Sequence, residues 1–288
     1  MSAGRAASIR ARLLNLARES EQDFNLILNQ YAVERWLYRL SISDQRQQLW
    51  LKGAMLFHLW FDAPHRPTRD ADFLGFGEID ASALTETMRK VSGLECDDGM
   101  VFDPASVTAE PIREDARYGG LRVTVQGLLG TAKCQLQLDV GYGDAVTPGA
   151  QEVDYPTLLA DVPAPHLMVY PRATVVAEKL EAIAHLEMAN SRMKDYYDLR
   201  ALAQEGAIDE ELLARAIAAT FERRQTPLPD DLPVGLTTRF ASNATKQMQW
   251  QSFLKKNNLE GAELTEVVVE IAEFVRGPLD QARRKGGA

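Results

Sequence analysis

The sequence predicts an α+β fold, in which a mixed sheet flanked by helices is followed by a helical C-terminal domain. Three observations predict it. Apolar residues near the start recur at helical spacing, the apolar period changes to two between residues 101 and 146, and helical spacing returns beyond Pro171. We expect residues 1–165 to form an α/β domain with N-terminal helices and residues 166–288 to form a helical domain.

The first predicted element is a helix over residues 8–40, because apolar residues recur there at positions i, i+3, i+4 and i+7. These residues are Phe24, Ile27, Leu28 and Tyr31. A short apolar run at residues 49–51 predicts a strand that leads into a helix at residues 55–61. Residues 68–76 predict the next strand, and Asp80 is suited to N-cap a helix that ends near Gly93.

The middle of the chain predicts two neighbouring strands. Apolar and polar residues alternate over residues 121–125 and again over residues 134–140, and Gly130-Thr131 is suited to turn one strand back on the other. Residues 155–171 contain four prolines and predict a loop between the two halves. About five helical segments follow, interrupted once by prolines. These prolines are Pro227, Pro229 and Pro233.

Composition excludes several classes of protein. The chain has 288 residues, of which 45% are hydrophobic and 25% charged, as in an ordinary globular protein. Its net charge of −9 argues against a protein that coats DNA, although a local basic patch is compatible with it. Two cysteines without a CxxC motif give neither a disulfide scaffold nor a zinc site. No signal peptide or membrane-spanning run is evident, so we expect a cytoplasmic protein.

A pair of acidic residues is the sharpest chemical feature. Asp70 and Asp72 are two apart on a predicted strand and therefore project from the same face. Such carboxylates suit Mg²⁺, which takes one or two of them together with substrate phosphates, but solvated acidic pairs are also common on edge strands. Asp139 lies on another predicted strand and is either a third metal-binding carboxylate or a residue of a strand-end turn.

Two further groups of residues are candidates for phosphate chemistry. Lys52, Gly53 and Ala54 lie at a strand-to-helix junction, where small residues let backbone amides approach a phosphate. Lys179 lies in an apolar helix start and is either a phosphate-binding lysine or one half of a surface Glu–Lys pair. Asp195 and Asp198 share one helical face, where they are able to cap, pair with a neighbouring arginine or act as a base.

Together these segments resemble the AbiEii/AbiGii nucleotidyltransferase toxin family of type IV toxin–antitoxin systems, whose members have a DNA polymerase β-like nucleotidyltransferase core. The resemblance extends over residues 20–205. The matching segments, in order, are residues 34–41, 51–56, 66–73, 138–144, 170–171, 177–182 and 190–199. The family often has Gly-Ser or Gly-Gly where this chain has Gly53-Ala54, so a hydroxyl is missing there while the backbone N–H remains.

The resemblance implies roles for these residues. Asp70 and Asp72 would bind Mg²⁺ and nucleotide, Asp139 would complete the carboxylate set, and Lys52, Gly53 and Ala54 would contact the nucleotide. From the helical domain, Lys179 and Asp195 would act on phosphate and acceptor, and Asp198 matches a second helical acid that is either functional or structural.

The implied function is Mg²⁺-dependent transfer of a nucleotide from an NTP to an acceptor, in this family the 3′ end of a tRNA. Such a toxin would block translation and be neutralised by a cognate antitoxin. Two alternatives remain open: transfer to a protein or small molecule, and a catalytically silent binding protein of the same fold. Candidate RNA contacts are the basic pairs and triplet at residues 223–224, 255–256 and 283–285.

Overall fold

The computed structural model describes residues 3–61, 65–112, 119–206 and 208–286. The chain divides into two compact units. Unit 1 comprises residues 1–143 and 151–169, and unit 2 comprises residues 144–150 and 170–288. The expected boundary near residue 165 stays a prediction.

Unit 1 contains a seven-stranded mixed sheet. Its strands are β1 (Leu49–Lys52), β2 (Asp70–Gly75), β3 (Met100–Pro111), β4 (Gly120–Leu129), β5 (Ala132–Tyr142), β6 (Gln151–Asp154) and β7 (His166–Val169). They lie in the order β3-β4-β5-β2-β1-β7-β6, in which β2 pairs with β5 and β1 with β7 in parallel while the other neighbours are antiparallel. The mixed sheet and its flanking helices confirm the predicted α+β class.

Four helices of unit 1 lie in the described part of the chain. They are α1 (Ala3–Glu19), α2 (Phe24–Ser41), α3 (Phe57–Trp60) and α4 (Ala81–Ser92). The prediction of one continuous helix over residues 8–40 is wrong. The chain leaves helical geometry at Glu21, where φ is 54°, and Asp23 then caps α2 by accepting hydrogen bonds from the N–H groups of Asn25 and Leu26. Both sides have helical periodicity, which is why the break is hidden in the pattern.

Other element predictions have mixed outcomes. The helix capped by Asp80 is confirmed, with Gly93 at its C-cap. The helix predicted over residues 55–61 is instead a 3-10 turn, Gly53–Leu56, followed by the single turn α3. The proline-containing segment 155–171, predicted as loop, contains β7, because partners on β1 and β6 supply the hydrogen bonds that hold it extended.

One face of the sheet is buried and forms the core of unit 1. A row of cross-strand neighbours on β1, β2, β5 and β4 is at most 3% exposed; its members are Leu51, Phe73, Val140 and Leu121. Helix α2 packs on this unit's sheet, and the ring centroids of Trp36 and Phe73 are 5.9 Å apart. Because side chains alternate along a strand, the intervening residues face the opposite side, which is where the charged residues lie.

Unit 2 is helical. Its described residues form α5 (Arg172–Leu186), α6 (Met193–Glu205), α7 (Glu210–Arg223), α8 (Thr238–Ala241), α9 (Ala244–Lys256) and α10 (Leu264–Gly286). The predicted interruption by prolines is confirmed between α7 and α8. Among the described helices of the whole chain, none is both long and apolar enough to cross a membrane.

Candidate active site

Four charged side chains form a row across one face of the unit 1 sheet. Lys52 on β1 lies opposite Asp72 on β2, Asp72 opposite Asp139 on β5, and Asp139 opposite Arg122 on β4. Cross-strand partners project from the same face, and all four residues are partly exposed. The register therefore brings three of the predicted site residues together in the order cation, acid, acid, and adds a second cation at the end.

The two acids of β2 point away from the core. Asp70 and Asp72 are partly exposed, whereas Ala71 between them and Phe73 after them are fully buried. Asp70 lies opposite Gln137 of β5, one strand repeat from the charged row. The spacing of two residues therefore places both carboxylates on the same, partly exposed face of the sheet, as predicted from the sequence.

Gly53 lies against the carboxylate of Asp72. Its φ is +74°, and a Cβ added there would lie 2.1 Å from Oδ2 of Asp72. A side chain at this position is therefore excluded both by the backbone conformation and by the carboxylate. Glycine lets the chain turn from β1 into the 3-10 turn, which contains Ala54, while keeping Asp72 in place.

The side chain of Lys52 reaches over β2 towards β5. Its Nζ lies 3.6 Å from the position that a Cβ of Gly141 would take. Gly141 is two residues beyond Asp139 and shares its face, so the ammonium lies on the acidic side of the sheet. This arrangement places a positive charge among the carboxylates, where an anionic substrate would be attracted.

Asp139 is held by Arg122 in a bidentate ion pair. Nε of Arg122 donates to Oδ1 at 2.9 Å and Nη2 donates to Oδ2 at 2.8 Å. The Asp139 side chain is 16% exposed and that of Arg122 is 41% exposed. Both oxygens of the predicted third carboxylate are therefore already engaged by a guanidinium, the partner whose geometry fits a carboxylate best.

These contacts bear on the predicted magnesium site. In the described residues, no group of three or more His, Cys, Asp or Glu side chains is arranged to hold a metal ion. In a set of three carboxylates that includes Asp139, the metal would have to share both oxygens of Asp139 with the guanidinium of Arg122. Asp70 and Asp72 do fit a Mg²⁺ site of two carboxylates, which substrate phosphates and water would complete.

The residues predicted from the helical half form a compact ion cluster within unit 2. Nζ of Lys179 on α5 donates to Oδ1 of Asp195 and to Oδ2 of Asp198 on α6, both at 2.8 Å. Nε of Arg192 donates to the other oxygen of Asp195 at 2.7 Å. Both aspartates are 0% exposed and Lys179 is 13% exposed at its side chain. Lys179 therefore belongs to a buried pairing between helices and not to a surface Glu–Lys pair.

The charges around Asp195 determine its protonation. Burial alone would raise the pKa of Asp195, but the ammonium of Lys179 and the guanidinium of Arg192 outweigh it and hold the pKa below its ordinary value. Asp195 is therefore ionised at neutral pH and a weak proton acceptor.

Arg224 forms a second ion cluster in unit 2 that sequence reasoning missed. Its guanidinium donates to Glu181 at 2.9 Å and to Asp144 at 3.2 Å, and lies 3.3 Å from Glu178. Burial lowers the pKa of Arg224, yet the three carboxylates raise it overall. The interpretation of Arg224 as an RNA contact is therefore not supported by its setting: the side chain is 16% exposed and links α5 to the segment that follows β5.

The other candidate RNA contacts differ among themselves. Arg223, Lys255 and Lys256 are exposed. Arg283 instead donates to the carbonyl oxygens of Pro229 and Asp231, and these hydrogen bonds hold α10 against the segment between α7 and α8. Runs of basic residues thus mix surface charges with structural ones, and the sequence pattern alone does not separate them.

Comparison with known proteins decides the family. The sequence model of the family described as nucleotidyl transferase AbiEii toxin, type IV TA system, matches residues 35–270, which is most of the chain. The chain belongs to the AbiEii nucleotidyltransferase toxin family. It is thus a nucleotidyltransferase of a toxin–antitoxin family, whose members use NTP substrates and are paired with an antitoxin. No match was found among curated proteins.

Solved structures agree with this fold. A crystal structure of an H. pylori protein described as a candidate nucleotidyltransferase is similar with a TM-score of 0.51 at 15% identity, covering 90% of this chain and 96% of that chain. The Helicobacter pylori protein JHP933 is similar with a TM-score of 0.50 at 15% identity, covering 90% and 94%. At this identity the likeness concerns the fold alone, and it supports the nucleotidyltransferase architecture.

Proposed function

We propose that this protein is a Mg²⁺-dependent nucleotidyltransferase that transfers a nucleotide from an NTP to the 3′ end of a tRNA and thereby blocks translation. The observation that carries the proposal is the charged row of unit 1. In this row Asp72 of β2 lies between Lys52 and the Asp139–Arg122 pair, and Asp70 projects from the same strand on the same partly exposed face. This is the combination that a metal-bound triphosphate needs, because the metal requires acidic ligands and the phosphates require positive charge.

In this proposal Asp70 and Asp72 hold Mg²⁺. When bound, the ion orients the triphosphate and stabilises negative charge on the reacting phosphoryl group. Lys52 attracts the phosphates, and the small residues Gly53 and Ala54 let backbone amides approach them. The acceptor hydroxyl oxygen forms a bond to the α-phosphorus while the bond to the bridging oxygen breaks, pyrophosphate leaves, and the hydroxyl proton passes to water.

The helical cluster has a separate part in the proposal. Lys179 acts on phosphate, a role that the family resemblance implies. Asp195 and Asp198 hold the ammonium of Lys179 from two sides, which fixes its position. For Asp195 the lowered pKa and the two engaged oxygens favour this positioning role over removal of the acceptor's proton.

The acceptor and the setting rest on the family resemblance. A tRNA 3′ end presents a hydroxyl group as the nucleophile, and its modification would stop translation. The residues Arg223, Lys255 and Lys256 are exposed at the surface, where basic side chains are able to contact phosphates. A cognate antitoxin and a cytoplasmic location complete the proposal.

The test is a transfer assay with four labelled nucleotides. Purified protein, Mg²⁺ and deacylated total tRNA are incubated with each of the α-³²P-labelled NTPs in turn. Asp70→Ala is the test variant, and Asp97→Ala, which replaces an exposed aspartate outside the charged row, is the matched control. A parallel sample uses tRNA whose 3′-terminal diol has been oxidised with periodate, and another replaces the tRNA with total protein.

We expect label on tRNA from one NTP, unchanged in Asp97→Ala and lost in Asp70→Ala and with oxidised tRNA. Label on protein alone would overturn the tRNA acceptor and assign the protein-modifying alternative. Toxicity in cells that survives Asp70→Ala would instead favour the silent binding protein.

A further inference from the structure

Arg122 belongs to the charged row on the partly exposed face of the unit 1 sheet. Neither the motifs nor the family resemblance gave it a role. It lies on β4 directly opposite Asp139, and its Nε and Nη2 bind the two oxygens of that carboxylate. The arginine side chain is 41% exposed, whereas the aspartate is 16% exposed. The more accessible partner of the pair is therefore the cation, and its plane is fixed by two parallel hydrogen bonds.

The position of the pair relates it to the proposed metal site. Adjacent strands are about 4.8 Å apart, so Arg122 lies about two strand spacings from Asp72 on the same face. Lys52 stands on the other side of Asp72. A phosphate chain lying across Asp72 would thus have a positive side chain near each end of the row.

We propose that Arg122, oriented by Asp139, binds the phosphates of the NTP, and that Asp139 is a positioning residue and not a metal ligand. This rests on the proposed function, since it assigns a residue within the same nucleotide site. A metal at Asp139 would compete with a bidentate guanidinium for the carboxylate oxygens, whereas Arg122 is able to bind a phosphate while it keeps its carboxylate partner.

The experiment measures equilibrium binding of ATP, GTP, CTP and UTP by calorimetry, each in Mg²⁺ and in EDTA. The variants are Arg122→Gln, Arg122→Lys and Asp139→Asn. The matched control is Arg89→Gln, which removes an exposed arginine of α4 outside the row. Thermal unfolding checks that each variant folds. Titration with Mg²⁺ gives the metal concentration needed for half-maximal NTP binding.

We expect Arg122→Gln to weaken NTP binding roughly ten- to a hundredfold, with and without metal, because it loses hydrogen bonds to a charged group. Asp139→Asn should weaken binding less and leave the Mg²⁺ requirement unchanged. In the double variant, Asp139→Asn should add little to the loss of NTP affinity caused by Arg122→Gln, since both substitutions act through one guanidinium. If Arg122→Gln does not fold, Arg122→Lys serves in its place, with weaker binding expected because a lysine lacks the bidentate fork.

Three results would overturn the inference. If Arg122→Gln, or Arg122→Lys in its place, binds NTP as tightly as Arg89→Gln, Arg122 does not touch phosphate, and the proposed function stands without it. If Asp139→Asn raises the Mg²⁺ requirement while Arg122→Gln lowers it, Asp139 is a metal ligand. If the wild-type protein binds none of the four NTPs, the proposed function itself fails, and the inference fails with it.

Discussion

Gly53 governs how closely the backbone approaches the carboxylate of Asp72. We predict that Gly53→Ala displaces Asp72, because the added Cβ would lie 2.1 Å from its Oδ2, and that nucleotide transfer falls at least about tenfold. Gly77→Ala is the matched control, since φ at Gly77 is also positive, at +87°, but nothing lies within 4 Å of an added Cβ. The measurement is initial transfer rate beside the free energy of unfolding.

Both substitutions introduce backbone strain of about 1–2 kcal/mol, and Gly53→Ala adds the cost of moving the Asp72 side chain, so stability should fall in both variants and more in Gly53→Ala. Only Gly53→Ala should lose transfer activity. Equal losses of activity in both would show that general destabilisation, and not the position of Asp72, is responsible.

Glu34 is a buried carboxyl whose protonation is coupled to stability. Burial raises the pKa of Glu34 from 4.5 to about 7, against the opposing effect of Arg35 and of the Leu158 N–H. The folded protein therefore binds the proton more tightly than the unfolded chain, and the contribution of Glu34 to stability is lost as pH rises from about 4.5 through 7.

We predict that the free energy of unfolding of the wild type, relative to Glu34→Gln, decreases by on the order of 3 kcal/mol between pH 4.5 and pH 8. Urea unfolding curves at several pH values measure it. Glu95→Gln, at an exposed position, is the control, and its free energy of unfolding should vary with pH as that of the wild type does. If the free energy of unfolding of Glu34→Gln also varies with pH as that of the wild type does, the raised pKa of Glu34 is contradicted.

At the scale of elements, the sequence predicted what is local and missed what depends on partners. Helix α4 was predictable because its cap, Asp80, lies within the sequence that it terminates. Strand β7 was not, since four prolines surround it and its hydrogen-bond partners are distant in the chain. The break between α1 and α2 was hidden because apolar spacing continues across it.

The hairpin of β4 and β5 contains a signal that pattern reading left unused. Gly130-Thr131 was recognised as a turn, and the structure pairs Leu129 with Ala132 across it. A two-residue turn fixes the register of both strands. Counting outwards from it pairs Arg122 with Asp139, so the ion pair that occupies the third carboxylate was within reach of the sequence.

Lys179 joins two helices of unit 2 through two buried carboxylates. We predict that Lys179→Met destabilises the protein by roughly 3–5 kcal/mol, because it leaves the charges of Asp195 and Asp198 with less compensation. Combining it with Asp195→Asn and Asp198→Asn should recover part of the loss. The measurement is urea unfolding, with Lys255→Met at an exposed helix end as control.

A small effect of Lys179→Met, comparable with that of Lys255→Met, would show that the cluster does not stabilise the pairing of α5 with α6. Measuring activity in the same variant separates phosphate binding by Lys179 from its structural role. If Lys179 binds phosphate without stabilising the fold, Lys179→Met should lower activity and leave the free energy of unfolding unchanged.

At the scale of the whole molecule, the order of the motifs identified the family although each motif alone is common. The fold class followed from the spacing of apolar residues, because this spacing is a local property of each segment. The strand order did not, because the parallel pairing of β2 with β5 joins segments far apart in the chain. The candidate site shows the same division: the shared face of Asp70 and Asp72 was predictable from spacing, and the register that places Asp72 opposite Asp139 was not.

The central claim is that the reaction is nucleotidyl transfer at Asp72. The most direct measurement compares one NTP labelled at the α-phosphate with the same NTP labelled at the γ-phosphate, in the presence of total RNA and total protein. Asp72→Asn and the exposed control Asp97→Asn are run beside the wild type. We predict that the α-label joins the acceptor, that the γ-label is released as pyrophosphate, and that both events stop in Asp72→Asn alone. Transfer of the γ-label to the acceptor, or transfer that persists in Asp72→Asn, would contradict the claim.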